Sequence, residues 1–350
     1  MAAQHASGAR PEVLIIGAGV AGLSCASELA AAGLRVQIWT AAMPEHTTSS
    51  VAAAFWYPYR VQPLDRVIPW AQVSYERFAC MADEPDAERE TGVIMREALE
   101  LFPEPVADPP WSRFVDHFRH AWLHELPPGY GHGLVFTAPV IDMSRYLPWL
   151  RRQVEDAGVE ILLRPLCGLN QLPGGGSGGS GGSGESLDAA FAAAAVVVNT
   201  SGLGARELVD DPRVYPIRGQ IELRERGSLD RVIIDEHGPH ITYIVPRGDD
   251  VVLGGISQER VTDLEADPRQ REEILARCVA LEPRLKDAAA LATRVGLRPC
   301  RDEVRLEQTR TPGGGALIHN YGHGGAGVTL SWGCAREVGV RVRAALAELR

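Results

Sequence analysis

The sequence predicts a mixed α/β fold: a Rossmann-like dinucleotide-binding domain, assembled from several chain segments and interleaved with an antiparallel-sheet domain. Three observations predict it. Four apolar residues run into a Gly-rich turn and then an Ala-rich helix within VLIIGAGVAGLS, Val13 to Ser24. A second Gly-rich segment, HNYGHGGAGVTLSWGCA, His319 to Ala335, leads into a helix at the other end of the chain. Between them, short apolar runs recur at hairpin spacing instead of continuing the βαβ alternation.

Taken in order, residues 13–16 form a strand, and the turn after it needs its glycines. Gly17 permits the tight turn, Gly19 lets the backbone approach a pyrophosphate, and Gly22 lets the helix pack closely on the strand. The helix continues to about residue 32, where Gly33 stops it, and residues 35–39 form the second strand. A polar loop with Thr47, Thr48, Ser49 and Ser50 precedes VAAAFWYPY, residues 51–59. Residues 66–81 have helical spacing; Pro109, Pro110 and Trp111 mark irregular chain; residues 135–140 read as a strand. An amphipathic helix over 143–157 leads to a strand over 159–163.

Residues 174–184 are only Gly and Ser, a flexible solvated loop with the regularity of an engineered linker; a natural low-complexity insertion is the alternative. Residues 193–199 are a strongly apolar strand. Residues 220–223, 231–235, 241–245 and 251–256 read as a meander. Residues 266–292 are mainly helical with a break at Pro283, and the last helix starts at about Trp332. The expected dinucleotide-binding domain therefore comprises residues 12–60, 140–212 and 296–350, and the second domain residues 61–139 and 213–295.

Composition removes several classes of function. A net charge of −10 over 350 residues disfavours non-specific nucleic-acid binding. No apolar run approaches the roughly 18 residues of a transmembrane helix. The first residues lack the apolar core of a secretory signal, and the terminal Glu-Leu-Arg is not a peroxisomal address. Cys25, Cys80, Cys167, Cys278, Cys300 and Cys334 contain no CxxC pair, so neither a metal site nor a redox dithiol is expected. They read as small hydrophobic residues of a cytoplasmic protein, with Cys300 partly exposed.

Two Gly-rich segments so far apart suggest one cofactor held at both ends, as FAD would be: pyrophosphate at the first turn, isoalloxazine near the second. At these residues the chain resembles the D-amino-acid oxidase family of flavoproteins over nearly its whole length. The resemblance is carried by VLIIGAGVAGLS, by TTSSVAAAFWYPY from Thr47, by VVVNTSGLGA from Val196 and by IRGQI from Ile217. TYIVPRGDDVVLGGI from Thr242, GLRPCRDEVRLE from Gly296 and the C-terminal Gly-rich segment complete it.

The resemblance implies an FAD-dependent oxidase that converts D-amino acids to 2-oxo acids, ammonia and hydrogen peroxide, the α-hydrogen passing as hydride to flavin N5. It implies that Arg298 holds the substrate carboxylate, a task that suits a planar guanidinium. Tyr243 assists with its hydroxyl, and the backbone carbonyl of Gly325 accepts from the substrate amine. For FAD it points to Gly17, Ala18, Gly19, Val20, Ala21 and Gly22, to Thr47, Thr48 and Ser49, and to Ala53 and Ala54. It adds Leu166, Ser201 and the run Gly324, Gly325, Ala326, Gly327, Val328 and Thr329. That run opens a helix whose positive end stabilises negative charge on the reduced ring. Arg301 and Arg305 read instead as surface ion pairs. The expected partners are a D-amino acid and molecular oxygen, without nucleic acid or membrane; a homodimer is left open.

Two departures stand out. The family places an acidic and a basic residue after the second strand to hold the adenosine; here Ala41 and Ala42 follow Thr40, so Thr40 or the loop from Thr47 to Ser50 compensates, or FAD is held less tightly. Pro239 stands where mammalian relatives carry a second tyrosine, which puts a tyrosine-tipped lid in doubt, and His240 reads as solvent-facing. The alternatives are a D-aspartate oxidase, which differs by pocket cations for the second carboxylate, a glycine or sarcosine oxidase, and a flavin-binding protein without turnover or an NAD-binding module.

Overall fold

Val13, Leu14, Ile15 and Ile16 offer no polar face, so the strand they form must be covered on both sides; all four are buried in the computed structural model. The structure describes residues 10–166, 187–237, 240–310 and 315–349. The Gly/Ser run at 174–184, Cys167 and Pro239 lie outside them. In chain order the first elements are β1 (Val13–Ile16), α1 (Val20–Ala31), β2 (Val36–Thr40), α2 (Leu64–Ala82), α3 (Ala87–Glu90), β3 (Val93–Phe102) and β4 (Asp116–His120). Then come β5 (His132–Ile141), α4 (Met143–Asp156), β6 (Glu160–Leu163), α5 (Leu187–Ala193), β7 (Val196–Asn199), α6 (Ala205–Leu208), β8 (Tyr215–Glu225) and β9 (Val232–Asp235). The chain continues through β10 (Thr242–Pro246), β11 (Asp250–Gly254), β12 (Gln258–Glu259), α7 (Pro268–Leu281), β13 (Ala290–Arg310), β14 (Ala316–His323) and α8 (Gly327–Glu348).

The described strands join one 14-stranded sheet in the order β4-β5-β3-β9-β10-β11-β8-β13-β14-β7-β1-β2-β6, with β12 beside β8. The run β14-β7-β1-β2-β6 is parallel, and β1 pairs with both β7 and β2 from Val13 onward. The run from β9 to β14 is antiparallel. The two meet on β13, which pairs with β8 up to Cys300 and with β14 from there, with a register shift between Cys300 and Arg305. A bulge at such a joint re-aims side chains, and Arg298 lies just before it.

Helices α1, α2, α4 and α8 pack around one apolar core with β1 and β7. Gly333 of α8 lets α2 approach: a Cβ there would lie 2.2 Å from the Trp70 carbonyl oxygen. The Ser74 hydroxyl accepts from the backbone N–H groups of Trp332 and Gly333 at 3.2 and 3.1 Å, and Trp70 Nε1 donates to Glu337 at 2.6 Å.

Several sequence expectations are corrected. The helix expected over 266–292 ends at Leu281, and strand β13 already starts at Ala290. The final helix starts at Gly327 rather than near Trp332, because packing against α1 and α2 outweighs the weak helix preference of Val328 and Thr329. Cys300 is buried, beneath Gly324. Arg301 and Arg305 are not surface pairs: both reach Asp211, itself 4% exposed, at 3.0 and 3.5 Å, and Arg305 Nη1 donates to the Tyr321 hydroxyl at 2.6 Å. A partner in a distant segment made these arginines internal. His240 is exposed, as expected.

Candidate active site

A cavity of about 500 Å³ is lined by both halves of the sheet. At its first end the chain leaves β1 through Gly17, whose φ of +106° favours glycine. A Cβ on Gly17 would lie 2.7 Å from the Thr200 carbonyl, and one on Gly22 would lie 2.0 Å from the Gly17 carbonyl. The turn can therefore close only with these residues. The Thr200 hydroxyl donates to Ile16 O at 2.8 Å and locks it to β7. The N-terminus of α1 opens on the cavity at Gly19 without a side-chain cap, and Ser49 Oγ accepts from the Val20 N–H at 3.0 Å.

Of the residues expected at a cofactor, Gly17, Ala18, Gly19, Val20, Ala21, Thr47, Thr48, Ser49, Ala53, Ala54, Leu166 and Ser201 line this cavity, as do Gly324, Gly325, Gly327, Val328 and Thr329. Gly22 and Ala326 stand behind the wall. Gly22 is spent on the contact between helix and turn, and Ala326 is fully buried. Beside Ala41 and Ala42, Thr40 Oγ1 donates to the Ala42 carbonyl at 2.7 Å, Thr47 Oγ1 to Pro44 O at 2.8 Å and Ser50 Oγ to Thr47 O at 2.9 Å. These hydroxyls thus donate within their own turns. Arg164, not foreseen from the sequence, lines the same end and lies over the Trp39 ring at 5.0 Å.

At the other end, β13 presents Arg298, whose Nη1 donates to the Ile256 carbonyl at 3.0 Å. Among the described residues no carboxylate forms an ion pair with it. Tyr243 on β10 faces Gly254 on β11, where a Cβ would lie 2.0 Å from the ring carbon Cζ. Burial pushes the Tyr243 phenol up, and the Arg298 guanidinium beside it opposes that rise. Gly325 completes the corner: a Cβ there would meet Tyr59 Cδ1 at 3.0 Å and Arg298 Cδ at 3.7 Å. The structure thus brings Arg298, Tyr243 and Gly325 together.

Further wall residues were not assigned from the sequence. His323 and Asn320 line the cavity beside α8 and share a 3.0 Å hydrogen bond; burial holds the His323 imidazole down at about 4, hence neutral. Tyr57, Tyr59 and Glu236 line it near Tyr243. The Tyr57 hydroxyl donates to Glu100 Oε1 at 2.5 Å, and the Thr329 hydroxyl donates to the Tyr57 carbonyl at 3.0 Å, tying residues 55–59 to α8. The aromatic run FWYPY was the available sequence signal, but only Trp56 is a core residue; its neighbours face the cavity.

These residues fit an elongated anionic dinucleotide. Two helix N-termini, of α1 and α8, open on the cavity, neither capped by the side chain of its own N-cap residue, and glycines form the wall at both. Backbone N–H groups and the positive helix ends favour a pyrophosphate at the first and a negatively charged ring at the second.

Known proteins agree with that geometry. The sequence pattern of the family described as FAD dependent oxidoreductase matches residues 12–340. A D-amino-acid oxidase of Rubrobacter xylanophilus is 46% identical, over 95% of this chain and 96% of the relative. The D-amino-acid oxidase of Streptomyces coelicolor is 39% identical, over 93% and 95%, and the human D-aspartate oxidase 32%, over 93% and 92%. The glycine oxidase of Geobacillus kaustophilus has the same fold, with a TM-score of 0.75 at 20% identity over 96% of this chain and 95% of that one. The residues of the glycine-lined cavity fit such a cofactor, and the chain belongs to the FAD-dependent oxidoreductase family.

Proposed function

We propose that this protein is a D-amino-acid oxidase, which deaminates its substrate oxidatively to a 2-oxo acid, ammonia and hydrogen peroxide in D-amino-acid catabolism. One observation carries the reading: Arg298, fixed by the Ile256 carbonyl and without a carboxylate partner among the described residues, stands in the cavity wall between Tyr243 and Gly325. A half-buried guanidinium in that position suits a substrate carboxylate. Similarity to oxidases of D-amino acids over more than nine-tenths of the chain supports the same conclusion.

Bound FAD supplies the acceptor for two electrons and passes them to oxygen. The chain's own task is orientation. Arg298 and the Tyr243 hydroxyl hold the carboxylate, and the Gly325 carbonyl accepts from the amine. The α-hydrogen is thereby fixed toward the wall formed by Gly324 to Thr329. The neutral His323 adds no charge there. We assign residues 12–60, 140–212 and 296–350 to FAD binding, and residues 61–139 and 213–295 to the substrate side. The described cysteines are all unpaired, which supports a reducing, cytoplasmic setting.

The test is an anaerobic titration of the purified yellow protein. D-Methionine should bleach the visible flavin absorbance, and L-methionine should not. Faster bleaching by sarcosine or glycine would reassign the activity, and no bleaching by any amino acid would remove it.

A further inference from the structure

The cavity holds one acidic side chain that the proposed reaction does not use. Among the described residues, Glu236 is the carboxylate in its wall. Its neighbour Asp235 is tied off: the Tyr130 hydroxyl donates to Oδ2 at 2.7 Å and the His237 N–H to Oδ1 at 3.0 Å. No hydrogen bond or ion pair of this kind holds Glu236 among the described residues.

Strand register sets what surrounds it. Glu100 on β3 lies opposite Ile234 on β9, and Ile234 lies opposite Tyr243 on β10. Residues opposite one another share a sheet face, and so do residues two apart. Glu100, Ile234 and Tyr243 therefore belong to one face; Ile234 and Tyr243 line the cavity, and Glu236, the residue after the end of β9, lines it with them. The charged and titratable groups around Glu236 come from three elements. Glu100 on β3 is 3% exposed and takes the Tyr57 proton donor; Asp235 precedes it; Arg60, exposed at the rim and 5.4 Å from the Tyr59 ring centroid, is the nearby cation. The Tyr57 and Tyr59 phenols complete the surroundings, and Tyr59 leads on to Arg298 and Tyr243.

Two carboxyls, Glu236 and Glu100, face one guanidinium, Arg60, in this corner, and the Tyr59 phenol is within electrostatic reach of both Glu236 and Arg298. Glu236 and Arg298 line the same cavity, so a substrate held by Arg298 shares that space with the Glu236 carboxyl. Resting on the D-amino-acid oxidase reading above, we propose that Glu236 determines side-chain specificity: it favours D-amino acids whose side chain ends in a cation, and it disfavours those with a second carboxylate. Burial and the facing Glu100 lift the Glu236 carboxyl to about 8, with Arg60 opposing. Near neutrality it therefore holds a proton, which an incoming guanidinium displaces and an incoming carboxylate does not.

Two measurements on the flavin-containing protein test this. The first follows the flavin spectrum while guanidinopentanoate, which is arginine without its α-amine, and hexanoate are titrated separately. The guanidino acid should bind more tightly, and its advantage should grow as pH rises through about 8. The second compares kcat/KM of wild type and Glu236→Gln. D-Arginine should lose about ten- to a hundredfold relative to D-methionine, the span of one charge-assisted hydrogen bond. D-Methionine should stay near wild type and D-glutamate should improve. An equal loss for all three would place Glu236 at the shared α-amino end, and no change for any would place it out of contact; either overturns the proposal. If Glu236→Gln loses flavin, the wild-type titration decides alone: hexanoate binding as tightly as guanidinopentanoate at every pH overturns it. Failure of wild type to oxidise any D-amino acid would remove the parent activity but leave the titration to decide the ligand preference.

Discussion

Gly219 and Arg298 compete for one space: a Cβ on Gly219 would stand 2.6 Å from Nη1 and 2.7 Å from Cζ of the guanidinium. The two residues lie on paired strands, β8 and β13, so the backbones stay in place and the guanidinium has to move. The proposed carboxylate site thus depends on a missing side chain as much as on the arginine. Gly219→Ala should keep FAD and lower kcat/KM for D-methionine, on the order of 10²-fold, as expected for a misplacement near 1 Å. Steady-state kinetics at wild-type values would show that the guanidinium relocates without loss.

Arg298→Ala removes the carboxylate partner itself. FAD should remain bound, while kcat/KM for a neutral D-amino acid falls by the equivalent of about 3–5 kcal/mol. Flavin content and turnover of the purified variant check both halves. A variant with nearly normal turnover would refute the role assigned to Arg298.

Glu100→Gln tests the buried carboxyl behind the cavity through stability. Burial lifts Glu100 from the usual 4.5 to about 7, with the Tyr57 hydrogen bond opposing. A raised folded pKa means that the folded state holds the proton more tightly. The associated stability is fully present below pH 4.5 and is lost as pH rises through about 7. Glutamine has no such loss. The Tm of Glu100→Gln minus that of wild type should therefore increase across this window and level off above it. A difference independent of pH would show that Glu100 is not protonated in the fold.

Ala41→Asp tests adenosine recognition. Thr40 Oγ1 donates to the Ala42 carbonyl, and no acidic residue lines that end of the cavity among the described residues. An added carboxylate should tighten FAD by about 1.5–3 kcal/mol before its desolvation is counted. The apoprotein's FAD dissociation constant measures it. Unchanged or weaker binding would mean that the present residues, Arg164 over Trp39 among them, already meet the need.

Gly333→Ala tests the helix crossing. With the Trp70 carbonyl oxygen 2.2 Å from the new Cβ, α2 and α8 must move apart, and the Ser74 bonds to Trp332 and Gly333 must lengthen. Overpacking of this kind costs about 1–3 kcal/mol. Denaturant unfolding of flavin-free protein should show it, and an unchanged midpoint would mean that the crossing adapts.

The sequence by itself determined the elements whose code is local. The apolar run before Gly17, the three glycines of the turn and the helical spacing of α2 and α4 each express a backbone requirement within a few residues. Arg298, Tyr243 and Gly325 stand in distinctive motifs, and the fold brings them to one corner, where their role is proposed. Only tertiary structure decided the surroundings of the charges. Asp211 lies about 90 residues from Arg301, and their contact turned an expected surface arginine into an internal one. Glu100 and Glu236 are unremarkable acids in the chain; strand register across β3, β9 and β10 puts Glu100 on the face of Tyr243, and the end of β9 leaves Glu236 in the cavity wall. A local pattern fixes which face of its own strand a residue takes. Whether that face meets solvent, a partner or a cavity depends on strands paired from distant parts of the chain, and pairing also decides how strongly a buried charge is felt.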